Sequence, residues 1–96
     1  MAAFVNAVVV FLRRDFTNLK EKRMITRRVE DRFKRDNWRS VLQVNRNDPK
    51  VIEFAVAVVG FSPLDAKQRF EKTLTVLEEI IDADVYALDV EEVALS

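Results

Sequence analysis

The order of hydrophobic and polar positions along the chain predicts four strands and two helices. Residues 4–11 form a Val-rich apolar run interrupted by Asn6, and residues 51–61 form a second run in which Glu53 is the one charge. Such continuous runs are typical of strands buried on both faces. The stretches 38–44 and 84–95 instead alternate between polar and apolar residues, which predicts strands with a single buried face.

Two other segments repeat their apolar residues at helical spacing. Asn18 and Glu21 have the spacing of a capping box, which predicts a helix from this point to about residue 36. The apolar stripe of this first helix consists of Leu19, Ile25, Val29 and Phe33. Ser62 followed by Pro63 predicts the start of a second helix. Its apolar stripe consists of Phe70, Leu74, Leu77, Ile80 and Ile81.

The resulting order, strand, helix, strand, strand, helix, strand, predicts the fold class. With right-handed crossovers it forms an α+β ferredoxin-like βαββαβ sandwich, in which two helices cover one face of a four-stranded antiparallel sheet. The first and third strands are central in this topology, in agreement with their apolar runs. The polar stretch 45–50 is expected to be a hairpin connection. We expect residues 1–96 to form a single domain.

The sheet face that no helix covers is a predicted homodimer interface. If Leu42, Val44, Leu88 and Val90 face the helices, the opposite face is largely apolar, and an apolar patch of this size usually marks an interface. The predicted interface residues are Phe4, Val8, Val10, Val41, Ala55, Ala57, Val59 and Ala87. Two alternatives remain open at this stage: a larger protein partner, and a small ligand held between the sheets of a dimer.

The distribution of charge adds a second candidate surface. The net charge is zero, yet residues 13–50 carry thirteen basic and six acidic side chains, whereas residues 51–96 carry three and ten. This asymmetry is explained either by a nucleic-acid-binding face or by two halves that attract each other in the folded chain.

Most of the positive charge lies on the first helix, away from its apolar stripe. The candidate nucleic-acid-binding residues are Lys20, Lys22, Arg23, Arg27, Arg28, Lys34 and Arg35. The alternative is a solvated helix face with intrahelical ion pairs, Arg27 with Asp31 and Glu30 with Lys34. Lys22 lies beside the apolar stripe, so we expect its stem to be covered and its amine to reach the surface, where it could hold a phosphate. Arg13, Arg14 and Arg39 are expected to extend the same surface.

The composition argues against catalysis and against cofactor or metal binding. The chain has no His and no Cys, and Gly60 is its single glycine, so it lacks the usual general base, thiolate ligands and a phosphate-cradling loop. We therefore predict a protein that is not an enzyme. The apolar start is too short to span a bilayer and no basic residue precedes it, so a cytoplasmic location is expected.

The same topology occurs in the RNA-recognition motif, whose third strand carries alternating aromatic residues. In this chain Lys50 is followed by Val51, Ile52, Glu53 and Phe54, and only Phe54 fits that pattern. Without paired rings on the open sheet face, base stacking there is not expected. The basic helix is the predicted site of any RNA contact.

The sequence NLKEKR at residues 18–23, between a hydrophobic strand and a helix, resembles the SLKEKR signature of the YlxP-like proteins, the domain of unknown function 503 family. Ser40-Val41, Val44 and Asp48 resemble that family's second strand and the following turn. Two departures are Asn18 in place of Ser and a turn, NRNDPK, without the family's His and Trp. The resemblance implies a ferredoxin-like fold in small bacterial proteins often encoded beside translation and ribosome-maturation factors, and it implies no catalytic residues.

Together these features predict a non-enzymatic accessory factor that contacts structured RNA, such as rRNA or a ribosomal subunit, through the first helix. The alternative from another class is a protein-interaction module or homodimeric domain that uses the apolar sheet face and has no nucleic-acid role.

Overall fold

The six predicted elements are all present, in the predicted order. A computed structural model describes residues 2–12, 19–44 and 51–95 of the chain. The strands and helices are β1 (Ala2–Leu12), α1 (Leu19–Phe33), β2 (Arg39–Gln43), β3 (Val51–Gly60), α2 (Pro63–Ile81) and β4 (Val85–Leu95). The strands form an antiparallel sheet in the order β2-β3-β1-β4, and both helices pack on one face of it, which confirms the ferredoxin-like α+β fold.

The two most apolar strands occupy the centre of the sheet, as their sequences predict. In β1, Val5 pairs with Val58 of β3 and with Glu92 of β4. In β3, burial alternates along the strand, because one face meets the helices and the other does not. Between Val10 and Phe11 the pairing of β1 with β4 shifts its register.

The core lies between the sheet and the two helices. It joins the inward side chains of β1 and β3 to the predicted stripes of α1 and α2. The buried hydrophobic residues of the described chain are Val5, Ala7, Val9, Ile25, Val29, Phe33, Ile52, Phe54, Val56, Val58, Ala66, Phe70, Leu77 and Ile81. Both helical periodicities are therefore confirmed. Neither described helix is long and apolar enough to cross a membrane.

The α1 helix ends at Phe33, three residues earlier than expected. The Asp36 N–H donates to the Phe33 carbonyl at 3.3 Å, which closes a tighter last turn. The chain then turns so that the Trp38 carbonyl accepts from the Val59 N–H at 2.8 Å and starts the β2–β3 pairing. Pairing with β3 thus outweighs the helix propensity of the polar residues after Phe33. The predicted cap at Asn18 lies outside the described residues, as does the predicted connection 45–50.

The start of α2 confirms the predicted cap. The Ser62 hydroxyl accepts from the Asp65 N–H at 3.1 Å, and Pro63 follows at the first helical position. Gly60 lies so close to this turn that a Cβ at that position would be 2.4 Å from the backbone N of Ala66. The one glycine of the chain therefore permits β3 to pass directly into the capped helix. At the other end, Asp82 caps α2 in the left-handed region, with φ 58°.

The predicted orientation of β2 was wrong. Val41 pairs with Val56, which is buried, and packs against the core, whereas Leu42 pairs with Ala55 and is 58% exposed. The prediction placed the face with more apolar residues inward. In the structure the other face of β2 points inward, because the register with β3 places Val41 beside the buried Val56 and because Arg39 packs on the same face.

The remaining predicted interface residues are distributed over the sheet as follows. On the face away from the helices, Ala57 and Val59 are exposed, while Phe4 and Ala55 are half-buried. The side chains of Val8, Val10, Ala87 and Leu88 lie outside the described part. Val90, expected to face the helices, pairs with the inward Ala7 but is 38% exposed, since β4 is an edge strand.

Candidate nucleic-acid interface

The α1 helix presents a solvent-exposed basic face. The amphipathic pattern of the helix turns Ile25, Val29 and Phe33 into the core and leaves the opposite side in water. Four of the seven predicted basic residues are exposed there, and two more are exposed in the turn directly after the helix. We call these six the basic face: Lys20, Arg23, Arg27, Arg28, Lys34 and Arg35. The structure thus brings these six residues together on one surface.

Few of these charges are neutralised by neighbours on the helix. The expected pairs of Arg27 with Asp31 and of Glu30 with Lys34 are not formed. Instead Lys34 lies 3.8 Å from Asp31, and both side chains are about two-thirds exposed, so this pair contributes little. Within residues 19–44 and 51–95, the other members of the basic face make no ion pair. Their charges remain available to an anionic partner.

Lys22 departs from the prediction. Its side chain is 1% exposed, so its amine does not reach the surface at the helix start. No buried side-chain N or O in the described residues lacks a hydrogen-bond partner, so the buried Lys22 amine is hydrogen-bonded inside the protein. We therefore leave Lys22 out of the basic face.

A polar groove separates α1 from the edge strand β2. Its volume is about 500 Å³, and Arg23 and Arg27 line it together with Glu30 and Gln43. Gln43 pairs with the buried Phe54 and therefore lies on the face of β2 that points toward the helices. One side of the basic face therefore borders a cleft, and the other side is open.

Arg39 does not extend the basic face, although the sequence suggested that it would. Its side chain is 4% exposed and pairs with Asp36, and its Nη1 donates to the Thr73 hydroxyl at 3.0 Å. The guanidinium carbon lies 4.2 Å from the centre of the Phe33 ring and 4.3 Å from that of Trp38. Arg39 thus joins α1, β2 and α2. Arg13 and Arg14 lie outside the described residues.

A second arginine continues this stack toward solvent, and sequence reasoning missed it. The Arg69 guanidinium carbon lies 5.2 Å from the Trp38 ring centre and 5.3 Å from that of Phe61. Phe33, Arg39, Trp38, Arg69 and Phe61 together form what we call the aromatic–arginine ladder. Its inner end is buried, and its outer end, Phe61, is 79% exposed. The sequence analysis placed Phe61 in the apolar run of the third strand, so nothing in the sequence signalled its exposure.

Asp65 fixes the outer half of this ladder. Its Oδ2 accepts from the Phe61 N–H at 2.8 Å, and its Oδ1 accepts from Arg69 Nε at 3.2 Å. The backbone hydrogen bond and then the Arg69 guanidinium hold the pKa of Asp65 below its ordinary value of 3.8. Asp65 thus stays ionised at neutral pH and orients Arg69.

The open sheet face has a different chemistry. It carries a shallow groove of about 410 Å³ whose lining includes Leu42, Ala57, Asn6 and Glu91. Phe54, the one residue that fitted the aromatic pattern of the RNA-recognition motif, is fully buried on the other face. This groove offers apolar contact and no stacking ring.

The fold and these surfaces define a ferredoxin-like α+β protein with a basic helix on one side of the sheet and an open sheet face on the other. The sequence matches the family described as "Protein of unknown function (DUF503)" over residues 5–90, so the chain belongs to this family, as its LKEKR motif predicted. The name YlxP-like and the genomic neighbourhood stay predictions. No curated protein matches the sequence.

Two solved structures align with the chain at low sequence identity. The "De novo designed protein Foldit4" aligns over 100% of both chains, with a TM-score of 0.55 and 14% identity. The "Putative antibiotic biosynthesis monooxygenase from Nitrosomonas europaea" aligns over 95% of this chain and 86% of its own, with a TM-score of 0.49 and 16% identity. The first of these similarities concerns the fold alone.

Proposed function

We propose that this protein is a non-enzymatic accessory factor that binds structured RNA, with the ribosome as the expected source, through the basic face of α1. The observation that supports this proposal most directly is the exposed row of six cations, of which only Lys34 forms an ion pair with a described residue. Phosphate contacts require such accessible charges, and neutralising several phosphates releases condensed counterions.

The energetics of the helix favour this function over a purely solvated surface. Pairs at i,i+3 and i,i+4 would stabilise a solvated helix face, whereas the basic face forms one weak pair with the described residues, between Lys34 and Asp31. The clustered positive charge repels itself in the free protein, and an anionic partner would relieve this repulsion.

Co-sedimentation with separated ribosomal subunits tests the proposal. The purified protein is centrifuged with each subunit in a salt series from about 50 to 200 mM, over which several phosphate contacts weaken binding by orders of magnitude. We expect binding to one subunit that decreases steeply with salt. Absence of binding to either subunit even at the lowest salt would contradict the proposal.

A second candidate is a homodimer formed through the open sheet face, as the sequence also suggested. Leu42 and Val44, on this face, are 58% and 46% exposed. Two-fold pairing of this face would bury these side chains against themselves. It is compatible with RNA binding, because α1 lies on the opposite side of the sheet.

Ala57 provides the test of the dimer, because it is exposed and lines the groove at the middle of the open face. A lysine at position 57 would place a charge in the apolar interface at no cost to the core. In sedimentation velocity, we expect the native chain to be dimeric and the Ala57→Lys variant to be monomeric and equally stable to heat. A monomeric native chain would exclude this candidate.

A further inference from the structure

We propose that the outer end of the aromatic–arginine ladder binds an unpaired base of RNA by stacking. This inference rests on the proposed function and deepens it, because it names the class of RNA: strands with loops, bulges or free ends beside a helical stem. The basic face contacts the phosphates, and the ladder contacts the base.

The geometry of the site fits a planar aromatic ligand. A cavity of about 390 Å³ lies at this end of the sheet and is lined by Asn37, Trp38, Val59, Gly60, Phe61 and Arg69. Trp38 is half-buried at its wall, and the Phe61 ring stands at its rim with four-fifths of its surface in water. Exposed and half-exposed ring surfaces with a guanidinium between them are the surfaces on which unstacked bases bind.

Packing alone does not explain Phe61. A side chain that is 79% exposed buries little apolar surface and so contributes little to the stability of the fold. Single exposed hydrophobic residues are common, but here Val59, which lines the same cavity, is also more than half exposed. Phe61, Val59 and Trp38 thus form one continuous surface around the cavity rather than an isolated side chain.

The site is organised before any ligand arrives. Arg69 donates to the Asp65 carboxylate and, at 3.3 Å, to the Val59 carbonyl, so its guanidinium plane is held between the two rings. Asp65 also accepts from the Phe61 N–H, which orients the backbone at the rim. Because these groups are already ordered, binding loses little conformational entropy.

The charge around the cavity favours RNA over an apolar protein segment. Lys34 and Arg35 are exposed after the end of α1, and only Asp36 separates them from Asn37 and Trp38 in the chain, so an RNA backbone on the basic face leads toward the cavity. The exposed Asn37 offers both a donor and an acceptor to the edge of a base. Of the two nearby acids, Asp65 is paired with Arg69 and Asp36 with Arg39.

The experiment compares two RNA probes and three variants. The probes are a fluorescently labelled hairpin with an unpaired loop and a blunt duplex with the same number of phosphates. The variants are Phe61→Ala, Phe61→Tyr, which keeps a ring, and Leu64→Ala, a matched control that removes an exposed apolar side chain without a ring. Affinity is measured by anisotropy at one fixed salt concentration, and the emission of Trp38, the one tryptophan of the chain, reports on the cavity itself.

We expect Phe61→Ala to weaken hairpin binding roughly 5- to 150-fold, the range for removal of one stacked base, and to leave duplex binding unchanged. Phe61→Tyr and Leu64→Ala should bind both probes like the native chain, and the hairpin alone should quench Trp38 emission. Unchanged hairpin binding by Phe61→Ala, or equal losses on both probes, would overturn the inference while the proposed function stands. Native protein that binds neither probe would refute both.

Discussion

Neutralising Arg23 and Arg27 together provides the sharpest test of the basic face. Both side chains are exposed, lie four residues apart on α1 and make no ion pair with a described residue. Replacing them with glutamine therefore leaves no buried partner unpaired. We expect the double variant to unfold with a free energy within about 0.5 kcal/mol of the native chain, as for other surface substitutions.

The expected loss of RNA binding can be calculated from the number of phosphate contacts. Each contact with duplex RNA contributes about 0.9 to the slope of log K against log salt, taking the value for B-form DNA. Removing two contacts makes the slope shallower by about 1.8. At about 0.1 M salt the binding constant should therefore fall roughly 8-fold for each arginine and 60-fold for both.

The assay is anisotropy of a labelled blunt duplex in a salt series, with Lys67→Gln/Lys72→Gln as the matched control. Lys67 and Lys72 are exposed on α2, so the control changes the net charge equally on the other helix. We expect the control to retain most of the affinity and the native slope. Equal losses in the two double variants would refute the reasoning, since binding would then follow net charge rather than the face of α1.

Two predictions concern the turn between β3 and α2. Gly60→Ala should destabilise the fold by about 1–3 kcal/mol, or about 4–8 °C in Tm for each kcal/mol, because the added Cβ would lie 2.4 Å from the Ala66 backbone N. An unchanged Tm in a thermal melt would contradict this. Asp65→Asn should lower the Tm at pH 7, since a depressed pKa in the folded state stabilises the fold above the ordinary value of 3.8. This contribution is lost as the pH falls through the folded pKa, so the native and variant Tm values should converge in acid, and a constant difference would exclude the linkage.

Local patterns were sufficient for most of the secondary structure. The run of apolar residues in β3 and the Ser62-Pro63 start of α2 are properties of neighbouring residues, and both were predicted correctly. The exposed positions of α1 were also predictable, because a helix with a strong apolar stripe places its polar residues at known angles. Burial of Lys22 was not predictable, since its place at the edge of the stripe allows its amine to lie either inside or outside.

The orientation of β2 shows where sequence reasoning reached its limit. Val41 and Leu42 have similar hydrophobicity, so either face of this edge strand could have been the buried one. The choice depends on the register with β3 and on Arg39, whose charge is accommodated inside by Asp36 and by two rings. These partners lie on different elements, and the pattern within β2 contains no information about them.

The sequence by itself thus determined the order of the elements, the central strands and the basic face of α1, because each follows from the periodicity of a continuous segment. Only the tertiary structure decided the burial of Lys22, the face of β2 that packs inward and the existence of the aromatic–arginine ladder. The ladder joins Phe33 and Trp38 to Phe61 and Arg69, which are about thirty residues further along the chain. Strand pairing between β2 and β3 and the packing of α2 bring these residues together, and no local signal encodes such long-range contacts.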